Sequence, residues 1–306
     1  MKGVVTKSTG SWFTVRKSDG DKLECKIKGA FRLKGLDSSN PVAVGDHVDY
    51  ELEEDGVGVI NNIHKRRNYI IRRSTKLSAR SHIIASNIDC CYLMVTITSP
   101  ETPLLFIDRF LVTAEAYHIP VEMLINKTDL IEKDQTKKLD DIIAIYESAG
   151  YKCHPMSVLR NEGIADVYKQ LAGKVNLIAG NSGVGKTALL NKLDPDWDLK
   201  IGEMSSYDTG KHTTTFAEMY ELKDETFVID TPGLKSFGTY DMEKEDLSHR
   251  FPEMRSRMDA CHFSNCLHIN EPNCAVIEAV EKGEIAGSRY KNYLNIYNTD
   301  ETENYR

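Results

Sequence analysis

The first 75 residues carry their apolar side chains in short runs, not at helical spacing. "SWFTV", "KLECKI", "HVDYEL" and "VGVINNI" are rich in β-branched and aromatic residues, and "SDGD", "DSSNP" and "EEDG" separate them with turn chemistry. Short strands between polar turns predict a small closed β-barrel; an OB-fold and an SH3-like barrel leave the same trace. From about 80 to 245 the pattern changes. "NIDCCYLMVTIT" is a continuous apolar run suited to a strand buried on both faces, and "LLFIDRFLVTAEAYHI" then sets Phe106, Phe110, Ala114 and Tyr117 at helical spacing. "VEMLINKTDL" is the next strand with its loop. "TKKLDDIIAIYESAG" repeats the helical period through Leu139, Ile142, Ile143 and Tyr146, with Gly150 as its C-terminal cap. "VNLIAG" and "TFVID" add two more buried strands, and the alternation predicts a parallel sheet covered by helices. Residues 246–306 combine a cysteine cluster with two short amphipathic helical patterns, "CAVIEAVEKGEI" and "SRYKNYLNIYN". The expected division is a barrel over 1–75, an α/β domain over 76–245 and a small C-terminal domain over 246–306.

"GNSGVGKT" at 180–187 follows a predicted strand, precedes the helical "TALLNKL" and satisfies the phosphate-cradle pattern G-x-x-x-x-G-K-[ST]. In that context Gly180, Asn181, Ser182, Gly183, Val184 and Gly185 turn backbone N–H groups onto phosphates at a helix N-terminus, with Ala188 following in its first turn. Lys186 is expected to reach the β and γ phosphates, where catalysis draws on its charge, and the Thr187 hydroxyl to bind Mg²⁺. "DTPG" at 230–233 follows an apolar strand, which places Asp230 to hold Mg²⁺ through water and the Gly233 N–H to bond the γ-phosphate. Between them lies "GKHTTT" (210–215), in which Thr213 or Thr214 is the candidate Mg²⁺ ligand of a switch; a plain turn and strand start is the alternative.

"NKTD" at 126–129 ends a buried strand. The Asp129 carboxylate can accept both N1–H and the exocyclic amino group of guanine, neither of which adenine offers. Asn126 supports the base and its loop, the Lys127 stem lies over the ring, and Thr128 completes the loop. Ser157, in "MSVLRNEGI", is expected to back the base. The chain thus meets the base loop first and the cradle later. All these loops lie at the C-terminal ends of parallel strands, so the site depends on which strands are spatial neighbours, and a circular permutation preserves it.

Charge and cysteine usage add three points. The 41% hydrophobic and 28% charged content is that of an ordinary soluble protein, and no apolar run approaches the roughly 20 residues that cross a bilayer. "MKGVVTKSTGSW" has no signal-peptide core and seven cysteines, two of them adjacent, make a poor disulfide framework, so a cytosolic location and no membrane partner are expected. Net charge is −7, yet residues 1–75 hold 14 Lys and Arg against 10 Asp and Glu, a surplus of +4 that leaves −11 for the rest. "KRRNYIIRRS" (65–74) reads either as a solvated strand edge or as an RNA-phosphate contact.

"CHFSNCLHINEPNC" sets Cys261, Cys266, His268 and Cys274 as C-x4-C-x-H-x5-C, a Cys₃His set suited to one structural Zn²⁺. His262 is the competing imidazole, expected to point away. Cys25, Cys90, Cys91 and Cys153 have no ligand set around them.

A basic barrel, NKTD, GNSGVGKT, GKHTTT, DTPGLKSFG and a cysteine/histidine cluster, in that order, resemble over the whole chain the circularly permuted GTPases, and within them the RsgA (YjeQ) family of ribosome small subunit-dependent GTPases. The resemblance implies an OB-fold, a permuted GTPase domain, a C-terminal zinc domain and a role in late maturation of the 30S subunit, with GTP, GDP and 16S rRNA as partners. Two departures are small: Thr187 stands where Ser is usual, and Lys211 precedes His212 where Arg is common. A monomer is expected.

Leu234 stands where Ras-like enzymes carry a water-orienting glutamine, so intrinsic hydrolysis is expected to be slow, with His212 the candidate to position water. The same leucine keeps a second reading open, a GTP-sensing RNA-binding module in which hydrolysis is incidental. A P-loop enzyme phosphorylating a small acceptor is disfavoured by NKTD.

Overall fold

β1 (Lys2–Ser8), β2 (Phe13–Lys17), β3 (Lys22–Ile27), β4 (His47–Leu52) and β5 (Gly58–Ile63) pair in the order 1-2-3-5-4, and β4 returns to β1 with Gly3 opposite Val48. A five-stranded barrel closed in that order, with β3 parallel to β5 and the other pairs antiparallel, is an OB-fold, which removes the SH3-like alternative. Alternate residues fill it: Phe13 and Val15 from β2, Cys25 from β3, Val48 and Tyr50 from β4, Ile60 from β5. The computed structural model describes residues 1–27, 41–73, 81–194, 217–230 and 243–299.

The chain divides into two compact units, Met1–Tyr92 with Ala165–Ala179 and Lys186–Leu234, and Leu93–Ile164 with Gly180–Gly185 and Lys235–Arg306. In the first, the barrel does not stand alone. β11 (Val175–Ala179), which follows α3 (Ile164–Leu171) in the chain, runs parallel to β13 (Phe227–Asp230), β13 pairs antiparallel with β12 (Glu218–Glu221), and β12 meets β1 with Lys7 opposite Glu218. Arg16 clamps this seam. Its fork donates to both oxygens of Glu221 at 2.6 and 2.8 Å, and its guanidinium lies over the Phe227 ring, 5.3 Å from the centroid. β6 (Tyr69–Arg73) and β7 (Ser81–Ser86) form a separate antiparallel pair.

In the second unit the sheet order is β10-β9-β8, where β8 (Cys90–Thr96) is buried at every position, as its continuous apolar run requires. β9 (Val121–Asn126) runs parallel to β10 (Cys153–Pro155), and α1 (Leu104–Ala116) and α2 (Thr136–Ser148) are the predicted helices. Gly150, at φ 96°, follows the Ala149 cap of α2. The C-terminal segment contributes α5 (Pro252–Arg255), α6 (Ala275–Glu281) and α7 (Gly287–Asn298). Its core is shared with α1: Val112 packs in one cluster with Leu247, Phe251, Met254, Val276 and Tyr293. Beside that cluster lies a buried ionic hub. Arg289 of α7, 1% exposed, donates to Asp108 of α1 at 2.7 Å and to both oxygens of Glu253 at 2.8 and 3.1 Å. Asp108 also accepts from Tyr146 of α2 and from Asn292.

Candidate functional site

β11 ends at Ala179 and the chain turns through 180–185 into α4 (Lys186–Leu193), the strand, glycine loop and helix that the phosphate motif requires. Two glycines are dictated by space. A Cβ on Gly180, at φ 141°, would sit 2.2 Å from the Met94 carbonyl oxygen, and one on Gly185, at φ 107°, 2.4 Å from Asn126 Nδ2. The latter contact shows how the base loop and the cradle meet. Asn126, 3% exposed, donates from Nδ2 to the Val184 carbonyl at 2.8 Å, while its Oδ1 accepts the Val158 N–H at 3.1 Å. One buried amide therefore ties together three loops that the chain delivers 58 and 32 residues apart. Lys186 and Thr187 open α4, half-buried, and Asn181 and Ser182 lie at the loop's rim.

The carboxylate that would read a guanine edge is held from behind. Ser157 is fully buried, and its hydroxyl donates to Asp129 Oδ1 at 2.5 Å while accepting the Arg160 N–H at 3.1 Å. Thr128 fastens the loop by donating from hydroxyl and N–H to the Met156 carbonyl at 3.0 and 3.2 Å. Lys127, at φ 64°, donates from Nζ to the Ser99 carbonyl at 2.5 Å. Ser99 lies between β8 and α1, in a stretch that no sequence motif marked.

β13 runs parallel to β11 with Ile229 opposite Leu177, so the two strands end on the same side of their sheet. The Asp230 side chain, His212, Thr213, Thr214, Gly233 and Leu234 lie outside the described residues. In the basic stretch Arg66 is committed to the fold: it forms a bidentate pair with Asp46, itself fully buried, at 2.6 Å on each oxygen. Arg67 pairs with Asp89 at 2.7 Å.

Cys261, Cys266, His268 and Cys274 gather their donor atoms within 4.8 Å of one another. The approaches of His268 Nδ1 to Cys274 Sγ and Cys261 Sγ, 3.3 and 3.6 Å, and the 3.9 Å between those sulfurs, lie within a few tenths of an ångström of the edges of about 3.5–3.8 Å of a tetrahedron with Zn–S near 2.3 Å. The donor set therefore fits a tetrahedral metal ion, with Nδ1 as the ligating nitrogen. Burial pushes the Cys266 and Cys274 thiols up, so their thiolate forms need a neighbouring cation. The loop is held independently: the Glu271 carboxylate accepts the N–H groups of Leu267, Ile269 and Asn270, and the hydroxyls of Tyr290 and Tyr293 donate to the carbonyls of His268 and Leu267. His262 is exposed and packs edge-on against Phe263.

An OB barrel followed by a GTPase sheet whose base loop precedes its phosphate cradle defines a circularly permuted P-loop GTPase with a C-terminal Cys₃His cluster that could hold a metal ion. The comparisons with known proteins agree. The RsgA GTPase family model matches residues 63–240 and the RsgA N-terminal domain model residues 2–60. The chain is 51% identical to the small ribosomal subunit biogenesis GTPase RsgA of Phocaeicola vulgatus and 49% identical to that of Bacteroides fragilis, over 100% of this chain and 99% of each relative. Among solved structures it is similar to YjeQ from Thermotoga maritima, with a TM-score of 0.80 and 38% identity over 97% of this chain and 96% of that one. It is also similar to YloQ, a circularly permuted GTPase, with a TM-score of 0.77 and 30% identity over 97% and 93%. The chain belongs to the RsgA GTPase family and is a GTP hydrolase. No helix among the described residues is long and apolar enough to cross a membrane.

Proposed function

We propose that this GTPase acts in the late maturation of the small ribosomal subunit in the cytoplasm, binding 16S rRNA and hydrolysing GTP to GDP and phosphate faster on the subunit than off it. The observation that carries the reading is the three-loop junction at Asn126, which couples a guanine-type base loop to a phosphate cradle, in a chain half identical to proteins named for small-subunit biogenesis. In this reading residues 1–75 are the RNA-binding barrel, 76–245 the GTPase domain and 246–306 the zinc-binding domain, and the protein works as a monomer.

Asp129, held by Ser157, reads guanine; Asn126, Lys127 and Thr128 shape its loop; residues 180–188 receive the phosphates. Thr187, one of Thr213 and Thr214, and Asp230 would hold Mg²⁺ or its water shell, and the ion would neutralise charge on the β and γ phosphates. Cys261, Cys266, His268 and Cys274 would hold one structural Zn²⁺. Leu234 supplies no water-orienting group, so His212 or the subunit does. On the barrel, Trp12 at the turn between β1 and β2 is 42% exposed with the Lys26 ammonium 5.0 Å from its ring, a stacking face beside a charge in the loop region with which OB-folds bind oligonucleotides.

Phosphate release from GTP, with and without purified 30S subunits, tests the proposal beside Lys186→Ala. Stimulation that vanishes in the variant is the expected result. Turnover unmoved by the subunit, together with RNA binding that depends on GTP, would favour the GTP-sensing binding module that Leu234 keeps open.

A further inference from the structure

We propose that the loop between β8 and α1, residues 96–102, is a clasp that positions Lys127 for the guanine ring, with Thr96 and Thr102 as its positioning residues. The inference rests on the reading of Lys127 as a base contact. The loop belongs to none of the nucleotide motifs, yet it touches two of them. Lys127 Nζ donates to the Ser99 carbonyl at 2.5 Å, and a Cβ placed on Gly183 of the cradle would meet Pro100 Cδ and Cγ at 3.5 and 3.7 Å.

The loop is shaped from inside by two buried threonines. Thr96, 2% exposed, donates its hydroxyl to the Pro100 carbonyl at 2.5 Å; its N–H donates to Thr102 Oγ1 at 3.1 Å, and the Thr102 N–H returns to the Thr96 carbonyl at 2.9 Å. Between them Ser99 is held at φ 48°, a conformation that a residue other than glycine keeps only where its surroundings impose it. The imposed turn presents the Ser99 carbonyl to the lysine. A lysine stem is long and flexible, and laying it flat over a ring costs rotamer entropy unless its head is already held. Anchoring Nζ before the nucleotide arrives removes that cost from binding.

The test is the Kd of the full chain for a fluorescent GDP analogue, measured for wild type, Thr96→Val, Lys127→Met and the double variant. Thr96→Val is expected to weaken binding about tenfold in the wild-type background and less than about twofold in the Lys127→Met background, because the clasp acts through that lysine. Thr96→Ser, which keeps the hydroxyl, should restore wild-type affinity. Equal factors in both backgrounds, or an unchanged Kd in Thr96→Val, would overturn the proposal. Pro100→Gly, at an exposed position, loosens the same loop and decides the question by the same non-additivity if Thr96→Val does not fold. A Lys127→Met variant that binds GDP as tightly as wild type would instead remove the guanine reading itself.

Discussion

The Asp129 carboxylate is fixed before any nucleotide is present, because a fully buried serine donates to Oδ1 and leaves the other oxygen and a lone pair for the ligand. A carboxylate offers two acceptors to the two N–H groups of guanine; an amide offers one acceptor and one donor. Asp129→Asn is therefore expected to weaken GTP about hundredfold and to bind XTP better than GTP, since xanthine presents an oxygen where guanine has its amino group. Competition of the two nucleotides for the variant measures it, and unchanged preference for GTP would mean that Asp129 does not read the base. The residues proposed for these roles stood out in the sequence because the chemistry asked of them admits few side chains: a guanine reader is acidic, and Gly180 and Gly185 stand where the Met94 carbonyl and the Asn126 amide leave no room for a Cβ. The Ser99 carbonyl was not legible, since any residue carries one.

Among elements, legibility followed burial. β8 is buried along its whole length and shows itself as a continuous apolar run, whereas β1 turns Thr6 and Ser8 inward beside Val5 and reads as polar, and β12 has only four residues. The C-terminal knuckle was legible through its cysteines, while the helix that supports it was legible only as an amphipathic pattern. Tyr290 and Tyr293, on one face of α7, hold the carbonyls on either side of the His268 peptide, so α7 and the ligand loop are one element mechanically. Zinc stoichiometry of the purified chain should be one per molecule. Removal with a chelator should raise amide hydrogen exchange first in 261–274 and then in α7, with β1–β5 unaffected. Uniform loosening of the chain would mean that the metal does not act through this element.

At the scale of the whole molecule, the segment after residue 243 is built onto α1 through the shared core at Val112 and through Arg289. The hub holds one guanidinium against two carboxylates. Burial pushes the Asp108 carboxyl above its usual range, and Arg289, Asn292 and Tyr146 pull it back only in part. Desolvation disfavours the Arg289 cation, but Asp108 and Glu253 together hold it firmly protonated. Arg289→Met leaves both carboxylates buried without a counter-charge, which is expected to cost about 3–5 kcal/mol. The pH dependence gives this its own signature. Losing the cation raises the folded-state value of Asp108 further above its unfolded value near about 3.9, so the folded variant binds the proton more tightly than the unfolded chain does. Its deficit against wild type should then be largest at neutral pH and shrink as pH falls from the variant's folded value to the lower folded value of the wild type, below which Asp108 is neutral in both proteins. Urea unfolding of both proteins at several pH values, followed by the fluorescence of a probe in the second unit, measures the difference. A deficit that stays constant with pH would assign Arg289 to packing against Phe251, Tyr146 and Tyr151, whose rings surround its guanidinium at 4.7, 5.6 and 5.8 Å, and not to charge balance.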